Sequence, residues 1–449
     1  MSFDDKIKDL ANKRLPRYTS YPTAPNFSNL TMGAKRGMLE ALPQDDSLSL
    51  YFHIPYCDRL CWFCGCNTNI TNDISRVSSF TDLLLEEMSR TTDILGTRKI
   101  TAVHFGGGSP SILPIEDFKR IMGHVHAHHR VADGAEVSIE IDPRTVDGDK
   151  IQAYAEMGIN RASLGVQDFN KRVQKAINRV QSYEMVKGVV SDLREHGITD
   201  INMDLIYGLP HQSMATIKNT MDNTIALEPA RVSLFSYAHV PWMKKHQQLI
   251  VEADLPHLDE RLRIHDYMAD RFAESGYSAI GMDHFARPAD SLATALKKGE
   301  LRRNFQGYTT DTSQTLISFG PSAISKLPTG YIQNETDITP YRKALADGGL
   351  PGNRGLYFKK HDTLYADVIE QIMCYGAVDL NTIATHHNVP FDVFSPALEN
   401  ASDLIADGVA SFEGGTLKLQ PVFKSAVRVL AACFDQYLES GDGKFSNVA

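Results

Sequence analysis

Three cysteines stand close together in a short segment near the beginning of the chain. Cys57, Cys61 and Cys64 are separated by three and by two residues. Three thiolates on one such loop can bind three corners of a cubane iron–sulfur cluster. A structural zinc site would normally take a fourth ligand from a second knuckle, but the distant cysteines Cys374 and Cys433 stand alone. The spacing therefore favours a cluster with one iron open to a small molecule, rather than a zinc loop or a set of buried cysteines.

A further cysteine, Cys66, follows Cys64 by only two residues. This spacing makes it a poor fourth corner of the same cubane. Two interpretations stay open: a small side chain packed beside the cluster, or a thiol on the substrate side of the site. We retain Cys66 as a candidate catalytic residue.

The composition limits the classes of protein that the chain can represent. Its 449 residues include six cysteines, four of them within ten positions, which is unlike a secreted disulfide framework. Because cluster ligands must stay reduced, we expect a cytoplasmic location. No signal peptide and no apolar run of membrane-spanning length is found. The net charge of −9 argues against wholesale binding of nucleic acid or of an anionic membrane.

Short β-branched runs alternate with amphipathic helical stretches through the first three quarters of the chain. The predicted strands follow an extended stretch at 48–52 and lie at 100–105, 136–141, 162–166, 201–206 and 231–237. Phe80, Leu84 and Met88 have the spacing of one apolar helix face. Such repeats predict an α/β fold with a parallel sheet, curved into a barrel or partial barrel.

The outer segments differ from this pattern and suggest three units. We predict an N-terminal arm at 1–45, a catalytic barrel at 46–330 and a small helical C-terminal domain at 350–449. The last has a predicted hairpin at 409–419 turned by Gly414-Gly415, followed by a final helix through 422–438. A winged-helix arrangement is one option. Because this domain is not basic, packing or lid formation is favoured over nucleic-acid binding.

Several polar or glycine residues follow the predicted strands, where a parallel barrel gathers its chemistry. A glycine turn, Gly106-Gly107-Gly108, ends the second strand and would admit the charged end of a ligand. Glu140 and Asp204 are carboxylates at strand ends that should face the mouth of the barrel. Gln167 and Arg179 are further candidates, although caps or solvent-facing side chains would show the same pattern.

Two arginines could anchor an anionic substrate. Arg17 lies in an aromatic and basic stretch of the arm, and Arg287 follows the segment 281–286. Single arginines are more often ordinary surface residues, so substrate contact is the minority interpretation of each.

Longer runs of the chain resemble a known family. The cysteine spacing with a following strand and glycine turn is similar to that of the radical S-adenosylmethionine (SAM) enzymes. Further runs resemble one branch, the oxygen-independent coproporphyrinogen III oxidases. These runs cover residues 16–24, 61–66, 165–170, 204–210, 281–288 and 304–310. The likeness spans nearly the whole chain and is most specific before residue 330.

The resemblance implies a curved (β/α)6 partial TIM-type barrel, closed on its open side by the arm and the C-terminal domain. It also implies a [4Fe–4S] cluster on Cys57, Cys61 and Cys64, and two SAM molecules. The positions that match the cluster-bound SAM are Tyr51, Gly107, Glu140 and Ile324. The positions that match the second SAM are Phe63, Gly108, Ser109, Gln167, Arg179, Asp204 and Ala238.

The implied reaction is oxidative decarboxylation of two propionates of coproporphyrinogen III to vinyls, giving protoporphyrinogen IX in haem biosynthesis. It needs an electron donor and an acceptor, neither of which the sequence identifies, and we expect a monomer. A related branch of the superfamily chaperones haem without oxidising a porphyrinogen. It lacks the Cys64-Gly65-Cys66 end of the loop and the arm motif at 16–23, so both features favour the enzyme.

Overall fold

Six parallel strands form the centre of the molecule. The computed structural model describes residues 3–31, 33–438, 445 and 448 of the chain. The six strands are hydrogen-bonded in chain order, each to the next. They are β1 (Leu48–Ile54), β2 (Lys99–Gly107), β3 (Arg130–Ile141), β4 (Arg161–Gln167), β5 (Asp200–Tyr207) and β6 (Arg231–Ser236). This confirms the predicted α/β class and every predicted barrel strand, with β3 beginning six residues earlier than expected.

Helices follow each of these strands and cover the outer face of the sheet. They span Ile74–Leu95, Ile115–His128, Gly148–Glu156, Lys171–Ala176, Tyr183–Glu195, Met214–Ala226 and Leu258–Glu274. Several begin at a side-chain cap: Asp73, Asp147 and Ser182 each accept from a backbone N–H of the first turn. Phe80 and Leu84, on the predicted apolar face of the first of these helices, are fully buried, in one cluster with Phe52 and Phe105 of β1 and β2.

Both edges of the central sheet carry strands that the sequence pattern did not indicate. Thr315–Phe319 adds in parallel to β1, and an antiparallel series continues outward from it. That series is Ile324–Leu327, Gly330–Asn334, Gly352–Tyr357 and Ser28–Asn29. At the other edge His284–Ala286 pairs antiparallel with β6, and Ser278–Ile280 follows it. The parallel barrel strands thus lie within a mixed sheet of thirteen strands.

The C-terminal segment contains short helices and a separate three-stranded sheet. The helices are Asp362–Tyr375, Leu380–His386, Ser395–Asn400, Ser402–Ala406 and Val427–Ala432, and the strands are Ala377–Asp379, Ala410–Glu413 and Thr416–Leu419. The predicted hairpin is confirmed. Gly414 and Gly415 both have positive φ, as both central residues of a two-residue type I′ hairpin turn require. The predicted final helix is shorter than expected, because a 3-10 segment, Pro421–Ala426, precedes it and it ends at Ala432.

The N-terminal segment packs against this C-terminal part. It contains the helices Phe3–Asn12 and Ala34–Glu40. Between them Leu15, Tyr18 and Tyr21 are buried in one hydrophobic cluster with residues such as Leu364 and Phe434. The exact domain boundaries stay a prediction.

Further short elements complete the described fold. The helices Ser291–Lys298 and Ile338–Ala346 flank the added strands, and Arg302–Asn304 pairs with Gly307–Thr309. Short 3-10 helices cover Ala24–Asn26, Pro110–Ile112, Lys245–Leu249, Glu252–Asp254 and Phe391–Phe394. In the part of the chain that the structure describes, no helix combines the length and apolar character needed to cross a membrane.

Candidate active site

The cysteine loop leaves the carboxyl end of β1 and is fixed at its base and its tip. At the base, residues 56–57 pair in parallel with residues 69–70, and the N–H of Asn69 donates to the carbonyl of Pro55 at 2.7 Å. At the tip, the Trp62 N–H donates to the Ile177 carbonyl at 3.0 Å, and the Asn178 amide to the Leu60 carbonyl at 2.8 Å. Hydrogen bonds to the backbone of the loop therefore hold it at both ends.

The three sulfurs of this loop each face a hydrogen-bond donor. Cys57 Sγ accepts from Thr68 Oγ1 at 3.2 Å, and Cys64 Sγ accepts from the Cys66 N–H at 3.3 Å. Cys61 Sγ lies 3.5 Å from Arg179 Nη1, and none of the three cysteines forms a disulfide. Donors of this kind stabilise thiolates and the sulfurs of a cluster. The surroundings therefore fit three thiolate ligands of a [4Fe–4S] cluster.

Two arginines and one aspartate form a charged group behind Cys61. Asp142 accepts from Arg144 at 2.6 Å and from Arg179 at 3.0 Å, and all three side chains are largely buried. Burial alone would raise the pKa of Asp142, but the bond from Arg144 and the charge of Arg179 hold that pKa below its usual value. Because two guanidinium groups share one carboxylate, the group keeps a net positive charge beside the sulfur of Cys61.

The thiol of Cys66 differs from the other three. Its side chain hydrogen-bonds that of Cys64, and this bond is the largest reason why the pKa of Cys66 lies well above its usual value. The same bond is the largest cause that lowers the pKa of Cys64 to about 6. Cys66 is exposed, and Glu140 and Cys57 are among the groups that act on its charge. The thiol thus lies at the mouth of the barrel, beside the other sulfurs.

The glycine turn after β2 lies directly against the cysteine loop. Gly107 has a φ of +111°, and a Cβ at Gly108 would lie 2.6 Å from the Tyr56 carbonyl oxygen. The N–H of Gly108 donates to the Ile54 carbonyl at 2.8 Å, and that of Ser109 to the Tyr56 carbonyl at 2.8 Å. The glycines are therefore required by the backbone conformation and by the close contact of two loops.

Glu140 lies at the end of β3, next to this turn. Its Oε2 accepts from the Gly107 N–H at 3.3 Å, and its Oε1 lies 3.4 Å from His104 Nε2. The ring of Tyr51 stacks on that of His104, with centroids 5.7 Å apart and an interplanar angle of 13°. The structure thus brings Tyr51, Gly107 and Glu140 together beside the cysteines, while the edge strand that begins at Ile324 lies beyond Thr315–Phe319.

The interior of the barrel is a polar cavity of about 450 Å³. Asp204 faces it and accepts from Ser163 Oγ at 3.1 Å and from the Asn202 amide at 2.8 Å. Burial raises the pKa of Asp204 to about 6, and the charge of Glu140 adds to the shift. Other inward side chains of the barrel strands are Ser49, His104, Ser138 and Ser233. A polar interior suits a ligand with hydroxyl and amine groups.

The remaining residues predicted for the second SAM lie around the ends of β2, β4 and β6. The side chains of Gln167 and Arg179 meet over Gly165, since a Cβ there would lie 3.1 Å and 2.8 Å from their nitrogens. Ser109 is buried after the glycine turn, and Phe63 belongs to the cysteine loop. Ala238 follows β6 and lines a second cavity, at the mouth. The described geometry places these residues at one end of the barrel.

The two predicted anion anchors lie at opposite ends of the barrel. Arg17 donates from Nη2 to the Ser236 carbonyl at 3.2 Å, at the carboxyl end of β6. Arg287 instead donates its backbone N–H to the Ala230 carbonyl before β6 begins, and its guanidinium lies 3.4 Å from Glu228. Arg17 therefore joins the site, whereas the structure does not bring Arg287 to the cysteine loop.

Some residues of the site had no sequence prediction. Arg144 belongs to the run Asp142-Pro143-Arg144 after Glu140, so its place at a strand end was a usable signal. Arg261 lies within the helix Leu258–Glu274 and reaches Ser236 Oγ at 2.7 Å. Its spacing in a charged helix gives no indication of this contact.

Comparison with known proteins gives consistent matches. The model of the radical SAM superfamily matches residues 51–223. An oxygen-independent coproporphyrinogen III oxidase of Bradyrhizobium diazoefficiens is 43% identical over 442 residues, which cover 97% of this chain and 98% of that protein. An Escherichia coli protein of the same name is 37% identical, with 94% and 93% covered.

A solved structure extends this likeness to the fold. The coproporphyrinogen III oxidase of Escherichia coli, described as a radical SAM enzyme, has a TM-score of 0.91 and 36% identity to this chain. The match covers 95% of this chain and 100% of that one. The likeness therefore includes the arm and the C-terminal segment as well as the barrel.

Proposed function

The chain belongs to the oxygen-independent coproporphyrinogen III oxidases of the radical SAM superfamily, and we propose how its residues serve that activity. It is a radical SAM oxidoreductase of porphyrin biosynthesis with a [4Fe–4S] cluster and SAM as cofactors. The reaction converts two propionate side chains of coproporphyrinogen III to vinyls and gives protoporphyrinogen IX. The observation that carries the residue assignment is the set of three donor-supported cysteine sulfurs beside Glu140 and Gly107.

We assign the cluster to Cys57, Cys61 and Cys64, with one iron left for SAM. When bound, the cluster and SAM supply a 5′-deoxyadenosyl radical that removes a hydrogen atom from the substrate carbon β to a carboxylate. Each propionate then releases CO2, transfers one electron to an acceptor and becomes a vinyl group. The chain's part is to orient the reactants and exclude water and oxygen.

The cluster-bound SAM is assigned to Tyr51, Gly107, Glu140 and Ile324. The Glu140 carboxylate would accept from the SAM ammonium group, a charge-assisted bond that the neighbouring Gly107 N–H and His104 hold in place. The aromatic pair of Tyr51 and His104 forms an adjoining wall.

A second SAM molecule is also proposed. Its residues are Phe63, Gly108, Ser109, Gln167, Arg179, Asp204 and Ala238. Support comes from two carboxylates in the site that have different hydrogen-bond partners: that of Asp204 is held by Ser163 and Asn202, and that of Glu140 by Gly107 and His104. Each carboxylate would serve a different cofactor molecule.

The N-terminal arm is proposed to cover the substrate, with Arg17 pairing a propionate. The chain has a net charge of −9 and the substrate carries four carboxylates, so local cations must outweigh the long-range repulsion. Arg17 reaches the carboxyl end of β6 while Tyr18 is buried against the C-terminal part. Deleting residues 1–24 would expose that hydrophobic cluster, so single substitutions are the better probe of the arm.

The haem-chaperone alternative is not favoured. Cys66 and the arm, the two features that separate the branches, are both built into this site: Cys66 contacts Cys64, and Arg17 contacts Ser236.

We also expect a monomer that takes electrons from a separate donor. A cytoplasmic location is expected because cluster thiolates must stay reduced.

Anaerobic turnover tests the proposed function. The reconstituted protein is incubated with reductant, SAM and coproporphyrinogen III, and the products are analysed for vinyl groups and CO2. We expect two vinyls per substrate molecule, with 5′-deoxyadenosine formed in parallel. Tight haem binding without any vinyl product would instead support the chaperone.

A further inference from the structure

A second cavity, of about 460 Å³, opens at the mouth of the barrel beside Arg17. Its wall includes the ends of β5 and β6 at Gly208 and Ser236, and the exposed ring of Trp242. Arg14, Arg17 and Arg261 also line it, and Glu252 is the one acidic residue among its described lining. The cavity is therefore suited to an anion with an apolar body.

Two of these guanidinium groups converge on one residue. Arg17 Nη2 donates to the Ser236 carbonyl at 3.2 Å, and Arg261 Nη2 donates to Ser236 Oγ at 2.7 Å. They come from the arm and from the helix Leu258–Glu274, which are far apart in the chain. The arm must therefore be docked for the pair to form.

Neither guanidinium of this pair forms an ion pair with a described carboxylate, although the charge of Arg17 helps to lower the pKa of buried Asp283. Within the described residues, no Asp or Glu carboxylate lies within 4.0 Å of Arg17 or Arg261. The Nε of Arg261 is buried and has no hydrogen-bond partner among the same residues. Buried donors are usually satisfied, so an unsatisfied guanidinium N–H beside a cavity points to a missing acceptor. Burial also lowers the pKa of Arg261, which an anion would reverse.

The cavity is joined directly to the cysteine loop. Beyond Trp242, Lys244 Nζ donates to the Cys66 carbonyl at 3.0 Å, and Gln247 Nε2 to the Phe63 carbonyl at 3.0 Å. His246 Nε2 also lies 2.7 Å from the Cys64 carbonyl oxygen. One loop thus lines the cavity with its first part and contacts the cysteine loop with its second, so the cavity lies next to the proposed reaction site.

We propose that Arg261 and Arg17 together bind one propionate carboxylate of the substrate, and that this propionate is one that does not react. The inference rests on the proposed function. Two guanidinium groups stabilise a full carboxylate charge, and loss of CO2 would remove that charge. Held this way, a carboxylate is stabilised against decarboxylation. The pair therefore positions the macrocycle and leaves other propionates for the radical.

Equilibrium binding of coproporphyrin III, the stable oxidised tetracarboxylate, tests the proposal. The anaerobic reconstituted full chain is titrated as wild type and as Arg261→Gln, Arg261→Lys and Arg17→Gln. Arg263→Gln, an exposed arginine of the same helix, is the matched control. We expect Kd to rise at least tenfold for Arg261→Gln and Arg17→Gln, partial recovery with lysine, and no change in the control.

Two further measurements separate binding from structure. The double variant should weaken binding by less than the product of the two single effects, because both groups hold one carboxylate. The tetramethyl ester of coproporphyrin should bind wild type and Arg261→Gln equally. In turnover, Arg261→Gln should raise the KM for coproporphyrinogen and leave the KM for SAM and the cluster absorption unchanged.

The possible failures are distinguishable. Wild type that neither binds coproporphyrin nor forms vinyls would overturn the proposed function itself. Normal wild-type turnover with equal Kd for Arg261→Gln and Arg263→Gln would overturn only the proposed binding of a propionate by Arg261 and Arg17. Fully multiplicative effects in the double variant would overturn the shared carboxylate. If Arg261→Gln fails to fold, Arg17→Gln and the ester comparison decide the matter.

Discussion

Arg179 donates from Nη1 toward the sulfur of Cys61 at 3.5 Å, and the same nitrogen lies 3.0 Å from Asp142. The guanidinium thus stands between the sulfur that we propose as a cluster ligand and a carboxylate that Arg144 also neutralises. Its other nitrogens donate to the Gly165 carbonyl, which fixes its orientation. A positive charge in this position stabilises added electrons on a cluster bound to Cys61.

Replacing Arg179 with Met should therefore lower the reduction potential of the cluster. We expect a shift on the order of 50 mV, which is about 1 kcal/mol for a one-electron couple. Asp142 keeps its ion pair with Arg144, so the variant does not leave a buried carboxylate without a cationic partner. Redox titration monitored by electron paramagnetic resonance measures the shift. The exposed Arg172 is the control, and equal potentials in Arg179→Met and Arg172→Met would contradict the role.

Replacing any one of Cys57, Cys61 and Cys64 with Ala should remove the visible absorption of the cluster and all activity, since the proposed cluster has one corner on each of the three sulfurs. Cys433 is the matched control, because burial raises the pKa of its thiol to about 11 and leaves it inert. Iron analysis and absorption spectra check this. Near-full iron content with turnover in Cys61→Ala would end the assignment.

Cys66→Ser should keep most of its iron and lose much of its activity. The thiol hydrogen-bonds the side chain of Cys64 but is too near it in sequence to be another corner, and Cys66 is exposed at the mouth. Iron content and vinyl formation are measured together. Loss of iron would make Cys66 a ligand, whereas full activity would make it a packing residue.

Glu140→Gln should weaken SAM binding while the cluster content stays constant. Loss of a charge-assisted hydrogen bond costs about 1.5–3 kcal/mol, roughly a ten- to hundredfold rise in Kd. Calorimetry with SAM and the rate of substrate-free SAM cleavage give the readout. The exposed Glu116, on the helix Ile115–His128, serves as control, and wild-type affinity in Glu140→Gln would exclude the role.

The use of SAM should weaken in acid below a pH of about 6. Burial raises the pKa of Asp204 to about 6, so the carboxylate is mostly ionised at neutral pH and becomes protonated as the pH falls through that value. The protonated form is a poorer acceptor for ribose hydroxyls. The KM for SAM should rise below pH 6 in the wild type and show a flatter profile in Asp204→Asn. Identical profiles would count against Asp204.

The local part of the site could be predicted from the sequence because it depends on neighbours in the chain. The cysteine loop, the glycine turn and Glu140 each follow a recognisable strand, and parallel strands bring their carboxyl ends to one edge. The sequence predicts that the glycine turn admits the charged end of a ligand, but it does not indicate a packing role for these glycines. Gly108 is needed where two loops touch, which only the packed structure reveals.

Residues brought in by distant or reversed segments could not be predicted. Arg287 follows a strand, but His284–Ala286 runs antiparallel to β6, so residues after it lie at the amino end of the barrel. Arg261 lies within a helix, where no strand end marks it. The edge strands from Ile324 to Tyr357 are short and pair only with one another or with Thr315–Phe319 and Ser28–Asn29, so their pattern carries little periodic signal.

Along β5, side chains alternate between two environments. Asn202 and Asp204 line the polar cavity, whereas Met203 and Leu205 are fully buried in the apolar cluster shared with the helices. Substitutions at successive positions should therefore produce two kinds of defect in turn. Changes at the inward positions would abolish activity while the protein is still present at its normal amount. Outward changes such as Leu205→Ala would lower the free energy of unfolding by about 2–5 kcal/mol and so reduce the amount of folded protein. Measuring activity and protein abundance for substitutions at each position of this strand should show the two defects alternating with a period of two residues.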